Sequence, residues 1–212
     1  MPRIYRKLDP SFYQSNDVVM LAKTLLGKLL VTHFDDELTS GIIVETEAYR
    51  GAVDKASHAF GNRRTGRTEI MFGTGGSAYV YLCYGIHHLF NVVSGSVDLP
   101  HAILVRAIEP FEGKEIMQRR AGKLKWDHSI GSGPGNVTKA LGIHTRHSGA
   151  SLLGPELFIA DNGISFRDTE IISTPRIGVD YAGEDAALPY RFVVKGHPNI
   201  SAKTFTSKFY TL

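Results

Sequence analysis

YVYLCYGIHHLFNVV, residues 79–93, is the stretch that decides the fold, because it reads as two strands around one tight turn. Residues 79–83 and 86–93 are rich in aromatic and β-branched side chains, as strands are. Tyr84-Gly85 lies between them, and Gly85 supplies the positive φ that a two-residue hairpin turn requires. The pattern predicts an antiparallel hairpin with Tyr84 at its tip.

The rest of the chain predicts further strands that follow one another through turns and loops. These strands cover residues 29–34, 41–48, 102–107, 157–160, 170–173 and 191–194. Helices are predicted after Asn16 or Asp17 up to Gly27, over 110–121 and over 136–141, and they do not alternate regularly with strands. Residues 52–76 form a long structured loop, a feature that is usually functional. We therefore predict one α+β domain, residues 1–212, with a mainly antiparallel sheet.

Composition limits the classes of protein that fit. The chain has 212 residues, of which 42% are hydrophobic and 21% charged, with a formal net charge of +3 and a single cysteine, Cys83. One cysteine excludes an internal disulfide framework and a cysteine-only zinc cluster. We find no apolar run long enough for a membrane span and no signal peptide after the basic N-terminus. We therefore expect a protein of the cytoplasm, or of the nucleus in a eukaryote, without a membrane partner.

The predicted strand over residues 41–48 carries two carboxylates. Side chains on a strand repeat with period two, so Glu45 and Glu47 share one face, roughly 7 Å apart. Such a pair could hold a metal ion, one member could act as a general base, or the face could simply be solvated. The apolar run before Glu45 and the aromatic Tyr49 after Glu47 favour the burial of at least one carboxylate.

Tyrosines and arginines form the second signal. Tyr49, Tyr79, Tyr81 and Tyr84 lie within 36 positions of each other and next to a basic loop, an arrangement that can hold nucleobases outside a stack. Taken singly, Tyr79 and Tyr81 are typical core residues, whereas Tyr84 at a hairpin tip could insert between base pairs.

Arginines in two settings point to acidic partners. Arg106 lies in the aliphatic strand ILVRA, which indicates a carboxylate or phosphate partner. Arg63, Arg64 and Arg67 form a basic cluster that could meet phosphates, although solvated faces account for most such clusters. The loop GSGPG at 131–135 lacks the following Lys-Ser/Thr of a nucleotide-binding loop, and the histidines show no metal-ligand spacing.

Taken together and in order, the motifs resemble the alkyladenine (3-methyladenine) DNA glycosylase family. The resemblance covers about residues 25–201. It rests on these segments: IVETEAY at 43–49, ASH at 56–58, MF at 71–72, YVY at 79–81, YG at 84–85, Asn91, LVRAIEP at 104–110, SGP at 132–134, RIGV at 176–179 and RFVVKG at 191–196.

The resemblance implies a single compact α+β domain with a curved antiparallel sheet, peripheral helices and a protruding hairpin that enters the minor groove. It also implies an enzyme of base-excision repair that acts on double-stranded DNA, works without metal or cofactor and is a monomer. It flips damaged purines (3-methyladenine, 7-methylguanine, hypoxanthine, ethenoadenine) out of the duplex and hydrolyses the N-glycosidic bond. By the same resemblance Glu47 activates the attacking water, and Arg106 and Asn91 flank that water and line the base pocket. The resemblance also implies that Tyr49, His58 and Tyr81 form a pocket around the base. Tyr84 would be the wedge that fills the gap in the duplex.

Two other functions stay open at this point. The chain could be a non-catalytic module that binds damaged nucleic acid, with Tyr84 as wedge and Glu47 structural, or a metal-dependent nuclease that uses Glu45 and Glu47. No lysine occupies a motif position suited to a Schiff-base nucleophile, Lys55 being the nearest. For the glycosylase we therefore expect base removal without strand cleavage.

Overall fold

Nine strands pair into one antiparallel sheet in the computed structural model, which describes residues 5–210. The strands are β1 (Arg6–Lys7), β2 (Leu29–Phe34), β3 (Glu37–Tyr49), β4 (Ala78–Cys83), β5 (His87–Ser94), β6 (His101–Glu112), β7 (Leu157–Asp161), β8 (Ile171–Thr174) and β9 (Arg191–Val194). They lie in the order β1-β7-β2-β3-β6-β5-β4, and β9 joins the sheet by pairing with both β3 and β8. Every pairing is antiparallel, which confirms the predicted α+β class.

Strand β3 is the centre of the sheet. It pairs with β6 along most of its length, while β2 pairs with its first half and β9 with its second half. Residues 39–48 of β3 are buried without interruption. Strands buried on both faces read as continuous apolar runs, so two glutamates in this run require internal partners. The hypothesis of a solvated glutamate face is therefore wrong.

Five short helices pack around the sheet within the described range 5–210. They are α1 (Pro10–Tyr13), α2 (Val18–Thr24), α3 (Lys114–Ala121), α4 (Pro134–Leu141) and α5 (Lys203–Ser207). Helix α2 begins as predicted, because the Asp17 side chain accepts a hydrogen bond from the Met20 amide at 2.9 Å. Among residues 5–210, no helix has both the length and the apolar character needed to cross a bilayer.

The predicted helix over 110–121 begins too early. Strand β6 continues through Pro110, which pairs with Gly41 beside a register shift, so the missing proline N–H is tolerated there. The chain leaves the strand at Gly113, where φ is +74° and a Cβ would lie 2.4 Å from the Leu38 carbonyl oxygen. Helix α3 then starts at Lys114.

The predicted hairpin is confirmed, with one extra residue in its turn. Cys83 pairs with His87, and the Ile86 amide donates to the Cys83 carbonyl oxygen at 3.2 Å. Strand β5 thus begins one residue later than predicted. Tyr84 has a positive φ of 50° as well as Gly85 at 73°, so the tip holds a bulky residue in a backbone conformation that favours glycine.

The long segment over residues 52–76 is ordered by short 3₁₀ turns. Turns cover Gly51–Val53, Phe60–Asn62 and Glu69–Phe72. Met71 and Phe72 are buried in a small apolar cluster with Tyr79. This packing fixes the loop against strand β4 and sets the positions of the polar side chains that it carries.

Candidate active site

Strands β3 and β6 bring Glu45, Glu47 and Arg106 together. The register between the strands shifts on either side of Glu45, so that Glu45 pairs with Ala107 and Thr46 with Val105. Arg106 is the residue skipped by this shift. Such bulges re-aim side chains, and the Arg106 guanidinium lies 2.9 Å from Glu45 Oε1 and 3.3 Å from Glu47 Oε1. The carboxylate partner predicted for Arg106 is therefore present, and there are two of them.

Glu47 is fully buried and holds three donors. Its Oε2 accepts from the Tyr49 hydroxyl at 2.8 Å, and its Oε1 accepts from the Ile177 amide at 2.8 Å and faces Arg106. Burial alone would lower the pKa of Arg106, but the Glu47 and Glu45 carboxylates outweigh it and hold that pKa above its usual range. Burial and the neighbouring Glu47 charge raise the pKa of Tyr49 well above its ordinary value, so Tyr49 stays a hydrogen-bond donor.

Glu45 has a different set of partners. Its Oε1 accepts from Arg106 Nε at 2.9 Å, Arg191 Nε at 2.8 Å and the Ser201 hydroxyl at 2.7 Å, and its Oε2 accepts from the Ser201 amide at 2.6 Å. The Glu45 carboxylate is thus fully engaged by two arginines and one serine. The pair of glutamates does not present a shared face to a cation, and within residues 5–210 no group of three His, Cys, Asp or Glu side chains is placed to hold one.

A cleft of about 610 Å³ opens above Glu47. Glu47 does not line it, but its three donors, Tyr49, Arg106 and Ile177, all do. Pockets that enclose small ligands measure some 300–1,000 Å³, so the cleft has room for a nucleoside. The carboxylate therefore lies one side chain beneath the floor of a cavity large enough for a flipped nucleotide.

Aromatic rings form the wall of this cleft. The His58 and Tyr81 rings meet edge to face, with centroids 4.7 Å apart, and the Tyr79 hydroxyl lies 2.8 Å from His58 Nδ1. Tyr49, His58 and Tyr81 line both the cleft and an adjoining cavity of about 30 Å³ that is too small for a purine. Burial, aided by the nearby Arg67 and Arg63, lowers the pKa of His58 to about 4.

Asn91 lies apart from Arg106. Its side-chain amide donates to the Tyr79 and Leu89 carbonyl oxygens at 3.1 and 3.4 Å, and it lines the small cavity but not the cleft. The structure thus brings Glu47, Arg106, Tyr49, His58 and Tyr81 around one cleft and sets Asn91 behind the aromatic wall.

Tyr84 stands clear of the body of the protein. Its side chain is 90% exposed at the hairpin tip, and its neighbours Leu82 and Ile86 are also exposed. Three apolar side chains at a protruding tip are unusual on a protein surface without a partner. Tyr84 also borders the cleft.

The three arginines of the predicted basic cluster point in different directions. Arg64 is engaged by Glu69 at 2.8 Å and by Asp98 at 2.9 Å. Arg63 and Arg67 line a cavity of about 480 Å³ next to the cleft, together with Lys55. A common role for all three arginines does not follow from their placement.

Sequence reasoning missed several residues of the site. The Ile177 amide has no side-chain signal, because any residue carries that group. Arg176 is buried against Asp54, with N–O distances of 2.5 and 2.9 Å, and its guanidinium carbon lies 4.8 Å from the Tyr49 ring centroid. The RIGV motif could have marked this segment. The discounted GSGPG loop also reaches the site, since Gly133 to Asn136 line the cleft.

Comparison with known proteins identifies the family of the chain. The model of the methylpurine-DNA glycosylase family matches residues 11–198. A Chlamydia felis protein is 50% identical over 188 residues, which cover 88% of this chain and 95% of the relative. Proteins of Chlamydia pneumoniae (48% identity, 94% of this chain and 100% of the relative) and Bacillus cereus strain G9842 (47%, 92% and 98%) are similar. All three are named as candidate 3-methyladenine DNA glycosylases. A family match over most of the chain and relatives of this identity lead to one assignment: the chain belongs to the methylpurine-DNA glycosylase family.

Proposed function

We propose that this protein excises damaged purines from double-stranded DNA by using Glu47 to activate water. Family membership makes it a DNA glycosylase, a hydrolase of N-glycosyl bonds. The observation that carries the finer proposal is the burial of the Glu47 carboxylate directly beneath an aromatic cleft, with its three donors lining that cleft. We take residues 1–212 as one glycosylase domain.

The aromatic wall suits electron-poor purines. We propose 3-methyladenine, 7-methylguanine, hypoxanthine and ethenoadenine as the bases that enter the cleft among Tyr49, His58 and Tyr81. A cationic alkylated ring against tyrosine faces gains on the order of 1–2 kcal/mol from cation–π attraction. Damaged or mispaired bases also cost less to unstack than normal ones.

The chemistry follows from the leaving group. Alkylation makes the purine cationic, so the bond between the sugar C1′ and the base nitrogen breaks with its electron pair going to the base. The sugar develops oxocarbenium character, which the buried carboxylate stabilises. Water then forms the new C1′–O bond and gives one proton to Glu47. An alkylated base needs little protonation to leave, and one carboxylate is sufficient.

The contacts of Glu47 define where the water would bind. A carboxylate offers about four acceptor positions, and Tyr49, Ile177 and Arg106 occupy three of them. The remaining position is on Oε2. Because Glu47 is fully buried, DNA binding must open a water-sized path to this oxygen.

We propose further contacts with the duplex. Tyr84 fills the gap left by the extruded nucleotide, which its exposure at the hairpin tip supports. Arg63 and Arg67 contact backbone phosphates beside the cleft, and Arg64 does so less, because Glu69 and Asp98 already engage it. We propose that the protein acts as a monomer on chromosomal DNA in the cytoplasm of a bacterium.

A base-release assay tests this proposal. We expect the protein to liberate free 3-methyladenine and 7-methylguanine from alkylated duplex DNA at the same rate in EDTA. The DNA strand should stay intact, and borohydride should trap no protein–DNA adduct. Binding of the damaged duplex without any release of base would establish the non-catalytic module instead. Strand cleavage that EDTA abolishes would establish the nuclease.

A further inference from the structure

The Arg67 guanidinium is built into the aromatic wall. Its Nε donates to the Tyr79 hydroxyl oxygen at 3.1 Å, and its Nη2 lies 3.0 and 2.9 Å from the two ring nitrogens of His58. Its guanidinium carbon is 4.8 Å from the Tyr81 ring centroid. One arginine therefore contacts three rings of the wall, although it was predicted only as a phosphate contact.

A guanidinium this close to the ring favours an uncharged imidazole, in which one of the two nitrogens can accept from Arg67. The charged and titratable groups around His58 come from four segments: Arg63, Arg67 and Lys55 from the 52–76 loop, Tyr79 and Tyr81 from β4, Tyr49 from β3, and Tyr181 from the segment after β8. The two charged groups that shift the His58 pKa are Arg67 and Arg63, and both add to the effect of burial in lowering it. The two loop arginines, Arg67 and Arg63, thus favour the neutral form of His58.

We propose, on the basis of the proposed function, that Arg67 is a positioning residue that keeps His58 neutral and oriented so that the cleft can accept a cationic purine. An imidazolium in the wall would lie buried against the positive base, where little solvent screens the repulsion. The charge of Arg67 is spread over its planar guanidinium, and Arg67 is exposed to solvent, which weakens its own repulsion. The positive charge in the wall thus lies on the solvated Arg67 and not on the buried His58.

Arg64 provides the matched control for substitutions of Arg67. It belongs to the same loop and carries the same charge, but Glu69 and Asp98 engage it, and it stacks over Phe72 away from His58. Replacing Arg64 by methionine therefore removes one loop charge without touching the wall.

Titration of His58 by NMR tests the proposal without requiring any activity. In the parent protein the His58 ring should remain neutral down to about pH 5. In Arg67→Met its proton affinity should rise about tenfold, one pKa unit, because burial still opposes the charge. Arg64→Met should titrate like the parent, and Arg67→Lys should lie in between, since it keeps the charge but loses the planar contacts.

The pH dependence of kcat/KM tests whether the charge of His58 affects base release. The ratio of Arg67→Met to parent kcat/KM, taken at each pH, cancels every group that titrates in both. For 7-methylguanine this ratio should fall about twofold between pH 7.5 and pH 5, whereas for the neutral base hypoxanthine it should stay flat. An unchanged His58 titration in Arg67→Met overturns the proposal. So does a uniform loss of DNA affinity with a flat ratio for both bases, which would make Arg67 a phosphate contact only. Absence of any base release by the parent would refute the proposed function, and the NMR titration would still decide the role of Arg67.

Discussion

Glu45 and Glu47 lie two residues apart on one strand, are equally buried and both contact Arg106, but their surroundings differ. Glu45 is enclosed by Arg191 and by Ser201 of the C-terminal segment. Glu47 is held by groups that all line the cleft. The same residue type in the same pattern is therefore enclosed by other side chains at one position and lies beneath the cleft at the other. What decides between the two roles is the segment that covers each carboxylate.

The largest expected difference is in stability. Glu45→Gln leaves the buried Arg191 without its carboxylate, and removing one partner of a buried ion pair costs about 3–5 kcal/mol. Glu47→Gln keeps one oxygen to accept from the Ile177 amide, and the Tyr49 hydroxyl can turn to accept from the new NH2 group. Arg106 also retains Glu45, so this variant should cost about 1 kcal/mol. Urea unfolding of the two variants measures both values. Equal losses would show that the two carboxylates do not differ in their structural roles.

A smaller effect is expected at the hairpin tip, where a substitution should change DNA binding instead of stability. Tyr84→Ala should leave stability unchanged, because the side chain is 90% exposed. It should weaken binding to duplex DNA containing a lesion by about 1–3 kcal/mol, the usual loss when an aromatic ring that stacks on a base is removed. Hydrolysis of a base that is already extruded, for example in a bulge, should change much less. Equal affinities of variant and parent would remove the wedge role.

The sequence predicted the fold in the regions where local pattern is decisive. Strands β2 and β9 were predicted to the residue, Asp17 was one of the two caps predicted for helix α2, and the hairpin was one residue off. The helix predicted over 110–121 exists, but its predicted start at Pro110 was wrong, because a proline suits a strand with a register shift as well as a first helical turn.

The site was less predictable, since its contacts are far apart in the chain. Glu45 meets Arg191 146 positions away and Ser201 156 positions away, and no period-two pattern encodes such pairs. The Ile177 amide comes 130 positions after Glu47 and is main chain. Among the residues named from the resemblance, Glu47, Tyr49, His58, Tyr81 and Arg106 surround one cleft. Tyr84 borders this cleft and Asn91 lies behind the aromatic wall, and all these roles stay predictions.

The smallest expected effect concerns the hydroxyl that Tyr49 donates to Glu47. Tyr49→Phe keeps the ring in the cleft and removes one hydrogen bond to the carboxylate. We expect base release to slow about tenfold, in line with roughly 1–1.5 kcal/mol for one hydrogen bond, with DNA binding unchanged. Single-turnover rates at saturating enzyme measure this loss. A Tyr49→Phe rate equal to that of the parent would mean that the hydroxyl does not orient Glu47.

The most direct test of the central claim is single-turnover base release by Glu47→Gln on a duplex with one hypoxanthine or 3-methyladenine. We expect the variant to bind this DNA as tightly as the parent and to release base on the order of 10²- to 10⁴-fold more slowly, the usual contribution of a general base. Glu69→Gln, which alters an exposed carboxylate, should release base at the parent rate. Release at the parent rate by Glu47→Gln would show that another group activates the water.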